Sequence, residues 1–190
     1  MIQKLRYQDI DQIVKLYRNE LPGLMTEMGE AFLKKYYKVS LLIPDMWTYV
    51  EKQDEQILGL VSGIRSVNGL YKKIFFQDFF GFTFIFMSIL ITQPRLIVKI
   101  VKMMDYPGFT SDIPELLTIV VDNRYRRKGI GRKLFKRMVS EFKKNGIKEF
   151  RITAHANLPS LGFYQRVRCK KESSFNITGD ELYYYKYKIR

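Results

Sequence analysis

One cysteine, Cys169, and one histidine, His155, are the only soft side chains of their kind in 190 residues. An internal disulfide framework needs at least two thiols, and a structural zinc site draws its four ligands mostly from Cys and His. Both are excluded. No acidic cluster offers a Ca²⁺ loop, so no metal is expected. Long apolar runs are also missing. The longest uncharged stretch, Phe79 to Pro94, has sixteen residues and is punctuated by Gly81 and Pro94, short of the roughly 20 apolar residues of a spanning helix. The chain opens Met1-Ile2-Gln3-Lys4-Leu5 with no apolar signal region. Together with the single thiol, this sets the expectation of a cytoplasmic protein.

Acidic residues are scarce as well. Lys and Arg number 33 against 19 Asp and Glu, a formal net charge of +14. Such a balance suits three partners: nucleic acid, an anionic membrane surface, or a phosphorylated ligand. Apolar residues make up 46%, near the globular average. A single domain over 1–190 is expected, with one sizeable core.

Periodicity orders the chain. Ile2 to Leu5 alternates as a strand, and Asp9 to Asn19 places Ile10, Ile13, Val14, Leu16 and Tyr17 at helical spacing. Leu21-Pro22-Gly23 breaks the chain before a second helical pattern, Glu30 to Leu42. Trp47 to Glu51 and Ile57 to Ile64 form a hairpin pattern around the polar turn Gln53-Asp54-Glu55. Leu116 to Val121 is the next strand, followed by an amphipathic helix over 131–145. A strand at 148–156, a helix near 158–167 and strands near 169–177 and 181–189 complete the order.

Between the strand ending at Val121 and the following helix lies Asp122-Asn123-Arg124-Tyr125-Arg126-Arg127-Lys128-Gly129-Ile130-Gly131. Two glycines flanking one residue let the backbone approach an anion closely, and the free N–H groups and dipole of a helix start point at it. A P-loop needs Lys-Ser/Thr after its last glycine, where Arg132-Lys133 stand; a Rossmann fingerprint needs a small residue where Leu134 stands. What fits is Arg-x-x-Gly-x-Gly, carried by Arg126, Gly129 and Gly131. Downstream, Asn157 precedes Phe163-Tyr164-Gln165-Arg166.

In these two spaced segments and in its element order, the chain resembles the GNAT superfamily of N-acetyltransferases. That family's pyrophosphate turn is Gln/Arg-x-x-Gly-x-Gly/Ala, and its later segment is Asn-x-x-Ala-x-x-Phe-Tyr-x-x-x-Gly-Phe. Ser160 departs from the Ala position, and Arg168-Cys169 stand in place of Gly-Phe. The resemblance implies an α+β or α/β GNAT fold: a twisted mixed sheet of about six to seven strands flanked by helices, with an apolar, helical insert at 66–111 between the third and fourth strands. It implies acetyl-CoA as co-substrate, held along Ile119, Val120 and Val121, by Arg126, Arg127, Lys128, Gly129, Ile130, Gly131 and Arg132, and at its pantetheine arm by Asn157. Tyr164 stands at the position of the family's acid for the departing thiolate. Glu115 stands where some members carry a catalytic glutamate, and its other reading is a strand-edge carboxylate. Asp112 and His155 are weaker candidate bases, and water can relay the proton in this family.

The leading function is therefore acetyl transfer from acetyl-CoA to a primary amine of a small molecule, an amino sugar or its nucleotide conjugate being one guess. A protein N-terminal or lysine acetyltransferase is the enzymatic alternative, which a bulky insert closing the acceptor groove would disfavour. A non-catalytic CoA, nucleic-acid or membrane-surface module is the alternative of another class; retention of both the Arg126 to Gly131 turn and Tyr164 disfavours it, and no nucleic-acid partner is expected. Three readings stay open for the insert: packed helices, a lid, or a peripheral membrane contact through 70–104 rimmed by Lys72, Lys73, Arg95, Lys99 and Lys102. Its apolar content would also support a homodimer.

Overall fold

The computed structural model describes residues 1–104, 111–157, 161–177 and 179–190. Strands β1 (Ile2–Lys4), β2 (Met46–Gln53), β3 (Gln56–Ile64) and β4 (Glu115–Val121) form successive antiparallel pairs. The β2–β3 hairpin turns through Asp54 and Glu55, both at positive φ (47° and 62°). This mirror-image turn has the twist that paired strands require. β5 (Glu149–His155) lies parallel to β4, and β7 (Asp180–Lys188) and β6 (Lys170–Ile177) close the sheet. The result is the expected mixed sheet, with seven strands in the order β1-β2-β3-β4-β5-β7-β6.

Helices cover both faces, most of them through one apolar stripe. On one face, α1 (Ile10–Glu20) and α3 (Gly29–Ser40) bury Ile13, Val14, Leu33 and Tyr37 with Val50, Leu60 and Val120 of the sheet. Between them, the stretch read as a simple break contains a short helix, α2 (Leu24–Glu27). The insert supplies α4 (Leu70–Gln77), α5 (Phe79–Thr92) and α6 (Pro94–Met104), which join this core through Leu70, Phe82, Ile85 and Leu96. On the other face, α7 (Ile130–Lys144) and α8 (Leu161–Arg166) bury Leu134, Met138, Phe142 and Tyr164 against Val61, Leu116 and Phe150. α7 sits close because β3 offers glycine beneath it: a Cβ on Gly63 would stand 2.7 Å from the Phe142 ring. Two parts of the expected elements, 105–110 of the insert and 158–160 with Ser160, lie outside the described residues.

The Arg168-Cys169 departure has a definite structural outcome. The Cys169 N–H donates to the Tyr164 carbonyl and the Arg168 N–H to that of Gln165, both at 2.9 Å, closing α8 in a Schellman motif. Arg168 holds the left-handed position of that motif at φ 68°. α7 ends in the same way with Gly146 there, at φ 74°. Arg168 thus carries left-handed strain of roughly 1 kcal/mol while its side chain is exposed. Arg168→Gly is expected to raise the midpoint of thermal unfolding by about 1–3 °C. A lowered midpoint would contradict this account of the helix end.

Candidate active site

β4 and β5 pair only at Glu115↔Arg151 and Leu116↔Ile152. A bulge ends the pairing there: against β3, Leu116 pairs with Gly63 and Thr118 with Ser62, so Leu117 is an extra residue in β4. Bulges bend a strand and steepen its twist. Beyond Leu116, the facing edges of β4 and β5 carry no ladder, which leaves a slot between parallel strands with backbone N–H and C=O groups of β4 along one wall. Ile119 and Val121 are half-buried there and Val120 is buried.

Glu115 is one of the two paired positions, beside the point where the ladder ends. Its Oε2 accepts from Arg151 Nε (3.1 Å) and Nη2 (2.6 Å), and its Oε1 accepts from Thr153 Oγ1 (2.7 Å). Glu115 is buried and Arg151 is largely so, and the Arg151 guanidinium lies 4.7 Å from the centre of the Tyr184 ring. The carboxylate is therefore not an exposed strand edge. It clamps the point at which the strands diverge. Asp112, the weaker candidate, accepts instead from Ser66 and Asn68, where the insert leaves the sheet.

The basic turn follows β4 directly. Asp122 caps a short 3₁₀ turn at Asn123–Tyr125, and the Arg124 guanidinium holds the Asp122 carboxyl below the usual carboxylate range. Glu20, at the end of α1, accepts from the Asn123 N–H at 3.0 Å and from the Arg126 guanidinium. Arg126 also donates to the Val121 carbonyl at 3.2 Å. Arg127 and Gly129 take positive φ (63° and 82°), curling the backbone in the manner of an anion-binding nest. Gly129 then starts α7 with no side-chain cap. The first N–H groups of a helix have no partner within it. Those of Ile130, Gly131 and Arg132 fit a diphosphate, with Arg127, Lys128 and Arg132 exposed around them. The Ile130 side chain is buried, so its contribution is its backbone.

The two sequence segments meet in space. A Cβ on Gly131 would stand 3.4 Å from Phe163 and 3.7 Å from Val121, so α8 lies against the start of α7 and the exit of β4. Tyr164 is buried beside Phe163 and Tyr185, with ring centroids 5.6 and 5.4 Å away. Asn157, just past β5, lines a cavity of about 370 Å³ with Ala156, Gly179, Asp180, Glu181 and Tyr183. His155 lies beside this cavity: its Nδ1 is 4.0 Å from Asp180 Oδ2, and a methyl group on Gly23 would stand 3.9 Å from its Nε2. Burial pushes the Cys169 thiol up to about 12, which removes it as a nucleophile at neutral pH.

Two features had no readable signal in the sequence. The Leu117 bulge lies within an ordinary run of β-forming residues. The Glu20 contacts to the turn join residues more than a hundred positions apart. Among the described residues, no group of three or more His, Cys, Asp or Glu could hold a metal ion.

Comparison with known proteins gives this arrangement a context. The model of the acetyltransferase (GNAT) family matches residues 11–168. No curated protein matches the sequence significantly. Among solved structures, an N-acetyltransferase from Staphylococcus aureus Mu50 is 15% identical, with a TM-score of 0.65 over 100% of this chain and 98% of that one. The ribosomal-protein-S18-alanine N-acetyltransferase from Escherichia coli is 12% identical, with a TM-score of 0.61 over 100% and 93%. The PaiA N-acetyltransferase from Thermoplasma acidophilum, in complex with coenzyme A, is 17% identical, with a TM-score of 0.59 over 98% of each chain. Likeness at these identities is a likeness of fold.

Proposed function

The chain belongs to the GNAT family of acetyltransferases, and from that premise we propose that it transfers acetyl from acetyl-CoA to the primary amine of a small molecule by direct attack on the thioester. The Arg126 to Arg132 turn and the uncapped start of α7 hold the diphosphate. Backbone groups of Ile119 to Val121, freed by the bulge, take the pantetheine arm and the thioester carbonyl, and an N–H among them stabilises the oxyanion. Asn157 meets the other side of that arm. Tyr164 gives its phenolic proton to the departing thiolate. A thiol titrates near about 8.5 and a phenol near about 10, so the donor is protonated at neutral pH. His155, beside the cavity, receives the amine proton directly or through a water, and Glu115 keeps the slot open.

The observation that carries the small-amine reading is the mouth cavity, where Asp180 and Glu181 gather on an otherwise strongly basic chain. Two carboxylates attract a cationic amine. The insert supports a compact acceptor too, because Lys99 of α6 pairs with Glu27 of α2 at 2.7 Å and so crowds the α1–α3 side of the site. An amino sugar meets this description, and a nucleotide-linked one would set its phosphates against the basic exterior. Acetyl-CoA is an intracellular compound, so the cytoplasm is the compartment the reading requires. The test is thiol release from acetyl-CoA with a panel of amino sugars and other small amines against peptides bearing a free N-terminus or lysine. Higher kcat/KM for small amines, by about 10²-fold or more, is expected; preference for peptides would overturn the reading.

A further inference from the structure

α5 is apolar on both of its faces. Phe82, Ile85 and Ile89 are buried against the core, while Phe80, Phe84 and Ile91, on the opposite stripe, are 85, 77 and 76% exposed. A helix apolar all round belongs in a protein interior or in lipid. This one has half of each. The exposed area continues onto α4 through Phe76 and onto α6 through Val98 and Val101, well beyond the isolated apolar side chains of ordinary surfaces.

The charges around this face decide what covers it. The three helices carry Lys72, Lys73, Arg95, Lys99 and Lys102, of which Lys99 pairs with Glu27 of α2, and the one acidic residue of the segment, Asp78 between α4 and α5, is taken up by Lys35 of α3. A second copy would bring two basic rims together on chains of net charge +14. An anionic bilayer answers both features at once. Its acyl region accepts the aromatic stripe and its headgroups neutralise the rim, at about 1 kcal/mol per basic residue near the surface. No single described helix is long and apolar enough to cross a membrane, and α4 and α5, which reach that length and apolarity only together, meet at a bend of 101°; the contact we infer is interfacial. We propose that α4–α6 form a docking face for anionic phospholipid bilayers. The Lys99–Glu27 pair links this face to α2, which places the α1–α3 side of the active site beside the lipid surface.

Flotation of the full chain with phosphatidylcholine vesicles, with and without about 30% phosphatidylglycerol, tests this. The expected result is at least about tenfold stronger binding to the anionic vesicles, weakened in about 0.5 M salt. The combined variant Phe80→Ser, Phe84→Ser and Ile91→Ser should lose that binding while keeping its unfolding midpoint, since all three side chains are exposed. No preference for anionic vesicles, or binding that survives the triple variant, overturns the proposal. So does a dimer in sedimentation that the variant dissociates in the absence of vesicle binding, which would assign the face to a second copy.

Discussion

Replacing Tyr164 by phenylalanine is expected to lower kcat by about 10²- to 10⁴-fold, the range contributed by a positioned general acid, while acetyl-CoA affinity stays within about twofold. The substitution removes one oxygen and leaves the ring, so its stacking with Phe163 and Tyr185 survives. The Schellman closure that anchors α8 uses the Tyr164 carbonyl and does not depend on the side chain. A fall in rate therefore reports the proton and not the fold. Because the thiolate leaves after the tetrahedral intermediate forms, the loss should be smaller for a thioester with a more acidic thiol. Equal kcat in the two proteins would remove Tyr164 from the mechanism.

A loss of stability on the order of 3–5 kcal/mol is expected for Glu115→Ala, because it removes the carboxylate from a largely buried ion pair with Arg151. Glu115→Gln should cost less, since the amide oxygen can still accept from Thr153 or Arg151. The two variants together separate structure from catalysis. If the carboxylate serves to clamp the strands where they diverge, the Gln variant keeps kcat within about tenfold wherever it is folded. A drop of about 10²-fold or more at an unchanged unfolding midpoint would make Glu115 the base that accepts the amine proton. The same experiment on His155→Gln should then show the complementary result.

The fold was legible where periodicity and turn chemistry agree. The 3.6-residue spacing of Leu134, Met138 and Phe142 reflects one buried face, and the apolar run Ile57 to Ile64 reflects a central strand buried on both; a single sequence records each directly. The turn before α7 was legible in its geometry, because Gly129, at positive φ, stands where the helix starts without a side-chain cap. What stayed hidden depends on contacts distant in sequence. The Leu117 bulge is fixed by register against Gly63 and Ser62, and no residue type at 117 announces it. The Arg168 turn shows the opposite limit: Gly was the pattern's choice, yet the Schellman bonds hold an arginine in the same conformation. The composition of the insert left three roles open, packed helices foremost. Only the exposure of Phe80, Phe84 and Ile91 distinguished an outward apolar stripe from a packed one.

Thermal unfolding with and without acetyl-CoA, on wild type and on Gly131→Trp, tests the central claim most directly. Gly131 lies 3.4 Å from Phe163 by the position its Cβ would take, so Gly131→Ala serves as a variant the fold can accept. At a hundred times Kd the ligand should stabilise wild type by about 2.7 kcal/mol, a shift of roughly 5–10 °C. The account predicts that shift in wild type and its absence in Gly131→Trp, with the variant still showing a cooperative transition. An unshifted wild type at millimolar acetyl-CoA, or an equal shift in both proteins, would contradict the assignment of the turn and the slot beside it as the acetyl-CoA site.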